Sequence, residues 1–161
     1  MIGLANTVQY LFERRPMASA HDVERDRPAV AWALLAARVI VGVIFMAHGA
    51  QKLFGAFGGP GLAGVVKMLG PIGYLVTVDE FFGGLGLLVG VLSRFSAFWL
   101  IVDMIGAIVL VHGRNGFFLG ANPGFEYCLA LIGLLATILL AGPGRLSLGR
   151  RLPLSRHVAL E

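Results

Sequence analysis

Charge is scarce in this chain: only 14% of its 161 residues are Asp, Glu, Lys or Arg. A water-soluble domain usually carries about a quarter, so the shortage by itself argues against a molecule surrounded by water. Cysteine is scarcer still. The single Cys128 cannot close an internal disulfide, and no C-x-x-C pair is present, so dithiol redox chemistry carried by this chain alone is not expected. Also missing are a glycine-rich nucleotide loop, a spaced set of metal ligands and a nucleophile elbow. Soluble-enzyme chemistry is therefore not indicated, and no metal site is expected. Residues 1–27 lack the early basic region, continuous apolar core and small-residue cleavage site of a secretory signal, and are expected to be retained.

What is present is apolar. Hydrophobic residues make up 57% of the chain, with a mean hydropathy of +0.82, more apolar surface than a soluble core of this length can hide. Four segments approach the roughly 20 residues that cross a bilayer core: residues 31–53, 72–92, 95–111 and 125–141. Only Ser93-Arg94 separates the second from the third, which predicts a tight antiparallel helical hairpin. The expected fold is all-α, an integral membrane four-helix bundle in the lipid bilayer. Residues 1–30 form an amino-terminal tail, 31–148 the membrane domain and 149–161 a basic tail. Ile2, Val8, Leu11 and Phe12 suit a short interfacial helix, with a mixed-charge linker over residues 21–28. In the first loop, residues 62–69 read as a short surface helix with Pro60 near its start.

The formal charge of +4 and pI near 9.8 do not signal nucleic acid, because the basic residues gather in the tails. Topology accounts for them. With both termini cytoplasmic, nine Lys and Arg residues fall inside and three outside, with Arg38 within the first span. The positive-inside rule favours that arrangement.

One short pattern occurs twice, His48-Gly49-Ala50-Gln51-Lys52-Leu53-Phe54 and His112-Gly113-Arg114-Asn115-Gly116-Phe117-Phe118, each closing an inside-to-outside span. A glycine-rich loop follows each, then a helix whose early turns carry acid, Asp79 and Glu80 or Glu126. The pattern reads as a parallel repeat of two helix pairs about an axis along the membrane normal. Polar groups at the membrane edge tend to mark function, so His48, Gln51, Lys52, Glu80, His112, Asn115 and Glu126 are the candidate ligand or quinone-binding residues, expected to converge on one outward pocket. No catalytic residue is assigned. Each has an ordinary alternative: Lys52 as an interfacial anchor, the histidines as helix-end caps, the neighbouring phenylalanines as an interfacial layer. Glu80, deeper in its span, needs a proton or a partner. Arg38 and Asp103, at similar estimated depth, are expected to form a structural ion pair, with Arg38 reaching up to Glu80 as the alternative. The glycines at 83, 84, 86 and 90 read as close helix packing.

The run Arg38-x-x-x-Gly42-x-x-Phe45-x-x-His48-Gly49-x-Gln51-Lys52-Leu53-Phe54-Gly55 stands with the Gly58-Gly59-Pro60-Gly61 turn and Glu80 before Gly83-Gly84. Asn115-Gly116-Phe117-Phe118, Glu126-Tyr127 and Ala141-Gly142-Pro143-Gly144-Arg145 complete the set. Together they resemble the DoxX family of small four-span membrane proteins, over about residues 31–148. The resemblance implies a membrane subunit of a redox or quinone-linked complex in a bacterial-type plasma membrane. A protein partner would carry the redox centre, any enzyme activity would belong to the complex, and a homo-oligomer is compatible. Quinone is the candidate cofactor, with none bound covalently. Two histidines on different helices also permit haem ligation, ranked well below the quinone reading because nothing else demands iron. A non-catalytic anchor for a partner protein and a small-molecule permease remain open as alternatives.

Overall fold

The computed structural model describes residues 20–149; side chains are described from Pro28 onward. The expected amino-terminal interfacial helix and most of the basic tail lie outside those residues. Helix α1 is Ala20–Phe54, with Pro28 inside it. Residues 21–28 are therefore helical and not a linker, since their Glu and Arg residues suit a helix and lengthen the span beyond its apolar part. After one 3-10 turn, Ala56–Gly58, come α2 (Gly61–Leu69) with Pro60 at its start, α3 (Ile72–Val89), α4 (Ser93–Asn115) and α5 (Glu126–Ala141). Among the described residues there is no β-strand beyond an isolated bridge between Leu119 and Pro123.

Three stretches are long and apolar enough to cross a membrane: Pro28–Phe54, Ile72–Val89 and Ser93–Asn115. The fourth, α5, has 16 residues and is about 24 Å long at 1.5 Å per residue, less than the roughly 30 Å of a hydrocarbon core. It is nevertheless part of the bundle. The core cluster runs through all four helices: Val41 and Phe45 from α1, Leu87 from α3, Ala97, Leu100 and Met104 from α4, and Cys128, Leu131, Leu135 and Ile138 from α5. Trp32, Ile40, Val43, Leu75, Val109 and Leu140 stay exposed on the outside, as expected of a surface that meets lipid.

Helix α1 packs chiefly on α3, and α4 on α5. Lipid tails are as apolar as leucine, so close backbone approach and polar bonds must hold such a bundle together. Glycines permit the approach at two levels. A Cβ on Gly42 would sit 2.8 Å from the Gly84 carbonyl oxygen, and one on Gly84 would sit 2.7 Å from the Met46 nitrogen. A Cβ on Gly49 would collide with the Phe81 backbone.

The α3–α4 hairpin is as tight as its sequence predicts. Gly90 adopts φ 79° and Leu92 φ 53°, closing the turn in the left-handed region. Around this turn lies the arginine end of the bundle. Arg38, fully buried, donates from Nη1 to Leu87 O at 3.3 Å and from Nη2 to Leu146 O at 2.6 Å. Arg94 Nη2 donates to Leu140 O at 3.1 Å. Both guanidinium groups satisfy carbonyls at or beyond the ends of α3 and α5, where the helix dipoles also favour positive charge. Residues 142–149 fold back over this end, held by Gly149 N–H donating to Gly90 O at 2.9 Å.

The expected Arg38–Asp103 pair is consequently not formed, nor does Arg38 reach Glu80. Its carbonyl partner Leu87 lies seven residues from Glu80 on α3, or about 10 Å along the axis, and Asp103 sits at the Glu80 level.

Candidate functional site

The opposite end carries the ionisable side chains. Lys52 lies in the last turn of α1, where the α1–α3 crossing through Gly49 brings it against α3. There α3 opens into a π-turn over Asp79–Gly83, a local widening that shifts side-chain register and recurs at functional positions. Glu80, 4% exposed, is turned into the bundle. Lys52 Nζ donates to Glu80 Oε2, an ion pair between α1 and α3. The partner that Glu80 required is this lysine.

Asp103 on α4 joins them. Its carboxyl group lies within hydrogen-bonding reach of Glu80 and faces Lys52 and Asp79 as well. Its Oδ2 is shielded from solvent and meets no hydrogen-bond donor among the described residues. Asp79 Oδ1 points toward the Gly83–Leu100 contact, 3.4 Å from where a Cβ on Gly83 would stand. One ammonium and three carboxyl groups from three helices thus share one region of the membrane domain. Phe54, Phe81 and Phe82 stack edge to face beside it, with centroid separations of 5.4 and 5.3 Å.

The second His-Gly ending is built differently. In α4 the last turns widen into a π-segment, Ile108–His112, followed by a 3-10 turn. His112 Nδ1 and Asn115 Nδ2 both donate to Pro123 O, at 3.0 and 2.9 Å. A carbonyl only accepts, so Nδ1 of His112 carries hydrogen here. Glu126 Oε1 accepts from Leu119 N–H at 2.6 Å, and Phe117 stacks edge to face on Phe118 and Phe125. These three candidates fasten the loop between α4 and α5.

The seven candidates therefore divide. Lys52 and Glu80 belong to the buried cluster, while His112, Asn115 and Glu126 belong to the loop clasp. No hydrogen bond or ion pair joins the two groups among the described residues. His48 is exposed near Lys52, and Gln51 is half-buried with its backbone against Gly59. Sequence reasoning left Asp79 off the list and gave Asp103 the wrong partner. Counting outward from the hairpin would have found both: Glu80 lies 11 residues before Val91 and Asp103 lies 12 after it, which places them at one depth.

The DoxX family model matches residues 33–113. This chain belongs to the DoxX family. The whole buried cluster lies within that stretch, whereas Asn115 and Glu126 fall beyond it. Among curated proteins, the chain is 34% identical over 128 residues to "Uncharacterized membrane protein Rv3486" of Mycobacterium tuberculosis, covering 71% of this chain and 78% of that protein. It is 31% identical over 100 residues to "Putative oxidoreductase CatD" of Bacillus subtilis, covering 58% of this chain and 69% of that protein. No solved structure gives a significant match. With its several apolar helices, the chain is a multi-pass membrane protein of this family.

Proposed function

We propose that this DoxX protein is the membrane subunit of an electron-transfer assembly and offers the Lys52–Glu80–Asp103 region to a quinone-type ligand. The observation that carries the reading is the three-helix ionisable cluster itself. Charged groups inside a membrane domain are costly and tend to mark ligand or proton paths, and a passive anchor has no need of four of them. The name of the Bacillus subtilis relative points in the same direction. With one cysteine and no dithiol pair, the chain is read as taking its electrons from a protein partner.

The residues fit a quinone headgroup by their donor chemistry. Lys52 has three N–H bonds, one of them engaged by Glu80, and keeps two for a ligand oxygen. Exposed His48 stands one turn away, and the Phe54–Phe81–Phe82 stack provides an apolar wall for a flat ring. When bound, a quinone supplies the capacity to accept electrons and protons. This chain's part is to orient the headgroup, offset its charge and keep bulk water away. The lysine end faces outward in this reading, with both termini on the cytoplasmic side of a bacterial plasma membrane, as the distribution of basic residues favours.

Isolation in mild detergent tests the proposal. A quinone in the lipid extract, a stoichiometric redox protein in the complex, and loss of quinone retention in folded Lys52→Ala, beyond that of an equally destabilised variant remote from the cluster, are expected. A stoichiometric partner with no quinone, in wild type and variant alike, would instead support a non-catalytic anchor, and substrate uptake by proteoliposomes would support a permease.

A further inference from the structure

Glu80 and Asp103 come from different helices, yet their carboxyl groups lie within hydrogen-bonding reach of each other. Ionised carboxylates only accept hydrogen bonds. Two of them at that spacing repel, and a bond between them exists only when one carries a proton, as in paired acids that share a site. Lys52 answers a single negative charge, on Glu80 Oε2. Asp103 Oδ2 is left shielded from solvent without a donor among the described residues.

The titratable groups facing Asp103 are Lys52 from α1, Asp79 and Glu80 from α3, and Cys128 from α5. With Glu80 and Asp103 both ionised and the thiol neutral, the single ammonium of Lys52 would leave one negative charge uncompensated between the helices, beside half-buried Asp79. A charge held away from water without a partner is strongly disfavoured. No guanidinium relieves it, because Arg38 and Arg94 bond carbonyls at the opposite end.

We propose that Glu80 and Asp103 bind one shared proton, which makes the three-helix cluster a proton site with Lys52 as its fixed counter-charge. A proton on Asp103 lets that carboxyl donate to Glu80, whose Oε2 stays on Lys52, and removes the uncompensated charge. The inference deepens the reading of this cluster as the working site, and its test needs neither ligand nor electron transfer, so either can fail without the other.

The test is infrared spectroscopy of the full chain in lipid nanodiscs, with Asp and Glu carboxyls carbon-13 labelled. The expected result at neutral pH is the carbonyl band of a protonated carboxylic acid that moves on labelling and in heavy water, and disappears in both Asp103→Asn and Glu80→Gln. Absence of that band in the unmodified protein overturns the proposal, a reading that does not depend on either variant folding. So does a band that survives both substitutions in folded protein.

Discussion

At the scale of single residues, position along the helix outweighed chemical type. Arg38 and Asp103 are opposite charges at similar counted depth, which made them an obvious pair, but the count took the inner ends of two helices as level. Helix α1 begins at Ala20, well before its apolar part, so Arg38 falls at the hairpin and bonds two carbonyls. Glu80 was legible as a group that needed a partner. That the partner is Lys52 depends on the Gly49–Phe81 crossing, which hydropathy does not encode. Because the Lys52–Glu80 pair is largely buried, removing Lys52 leaves the carboxyl groups beside it without their counter-charge. Such a loss costs about 3–5 kcal/mol in buried pairs generally, more than removing both. Lys52→Ala should therefore lower the melting temperature in detergent further than the Lys52→Ala/Glu80→Ala double variant does, and strictly additive losses would show that the pair contributes nothing.

At the scale of elements, the spans, the short hairpin and the surface helix α2 could be read from apolar runs and turn residues. The π-turns at Asp79–Gly83 and Ile108–His112 could not, since a shift of one hydrogen-bond register leaves composition untouched. The glycines show how unequal similar residues become once packed. A Cβ on Gly49 meets backbone atoms of Phe81, which cannot turn aside, whereas one on Gly106 or Gly133 meets nothing within 4 Å. Gly49→Ala should destabilise by about 1–3 kcal/mol, as overpacking does, and weaken the adjoining ion pair. Gly106→Ala and Gly133→Ala should be neutral or stabilising by up to about 1 kcal/mol through helix propensity. Equal melting temperatures for all three would show that α1 and α3 do not meet closely at Gly49. The arginine end offers a second comparison. Arg38 serves two carbonyls with two separate nitrogens, a fork that a lysine cannot reproduce. Arg38→Lys should free residues 142–149 for proteolytic cleavage, and unchanged cleavage would mean that the backbone bonds to Val89 and Gly90 suffice to hold the segment.

For the whole molecule, the decisive feature is an outside that stays apolar while a small polar cluster is enclosed near one end. The all-α membrane character was legible because it rests on summed hydropathy. The convergence of all seven candidates was not, because the two His-Gly endings share a sequence without sharing surroundings: Gly49 is wedged against α3, whereas Gly113 is exposed. Both described ends of the chain lie at the arginine end. Gly144 packs on Leu34, with a Cβ there 3.2 Å from the leucine, and Arg38 bonds Leu146 O, so the crossings are even in number and one measurement orients the whole bundle. Ten of the 13 Lys and Arg residues belong to that end along the sequence, Arg38 among them, and three to the other, a bias that favours the arginine end inside. The cleanest check replaces Cys128 with alanine and places a single cysteine either at Ala56 or at Arg145. An impermeant thiol reagent should label the Ala56 position in sealed cells and the Arg145 position only after the membrane is opened. The reverse pattern would turn the molecule over, placing the Lys52–Glu80–Asp103 cluster at the cytoplasmic face and requiring that any electron-donating partner act from that side.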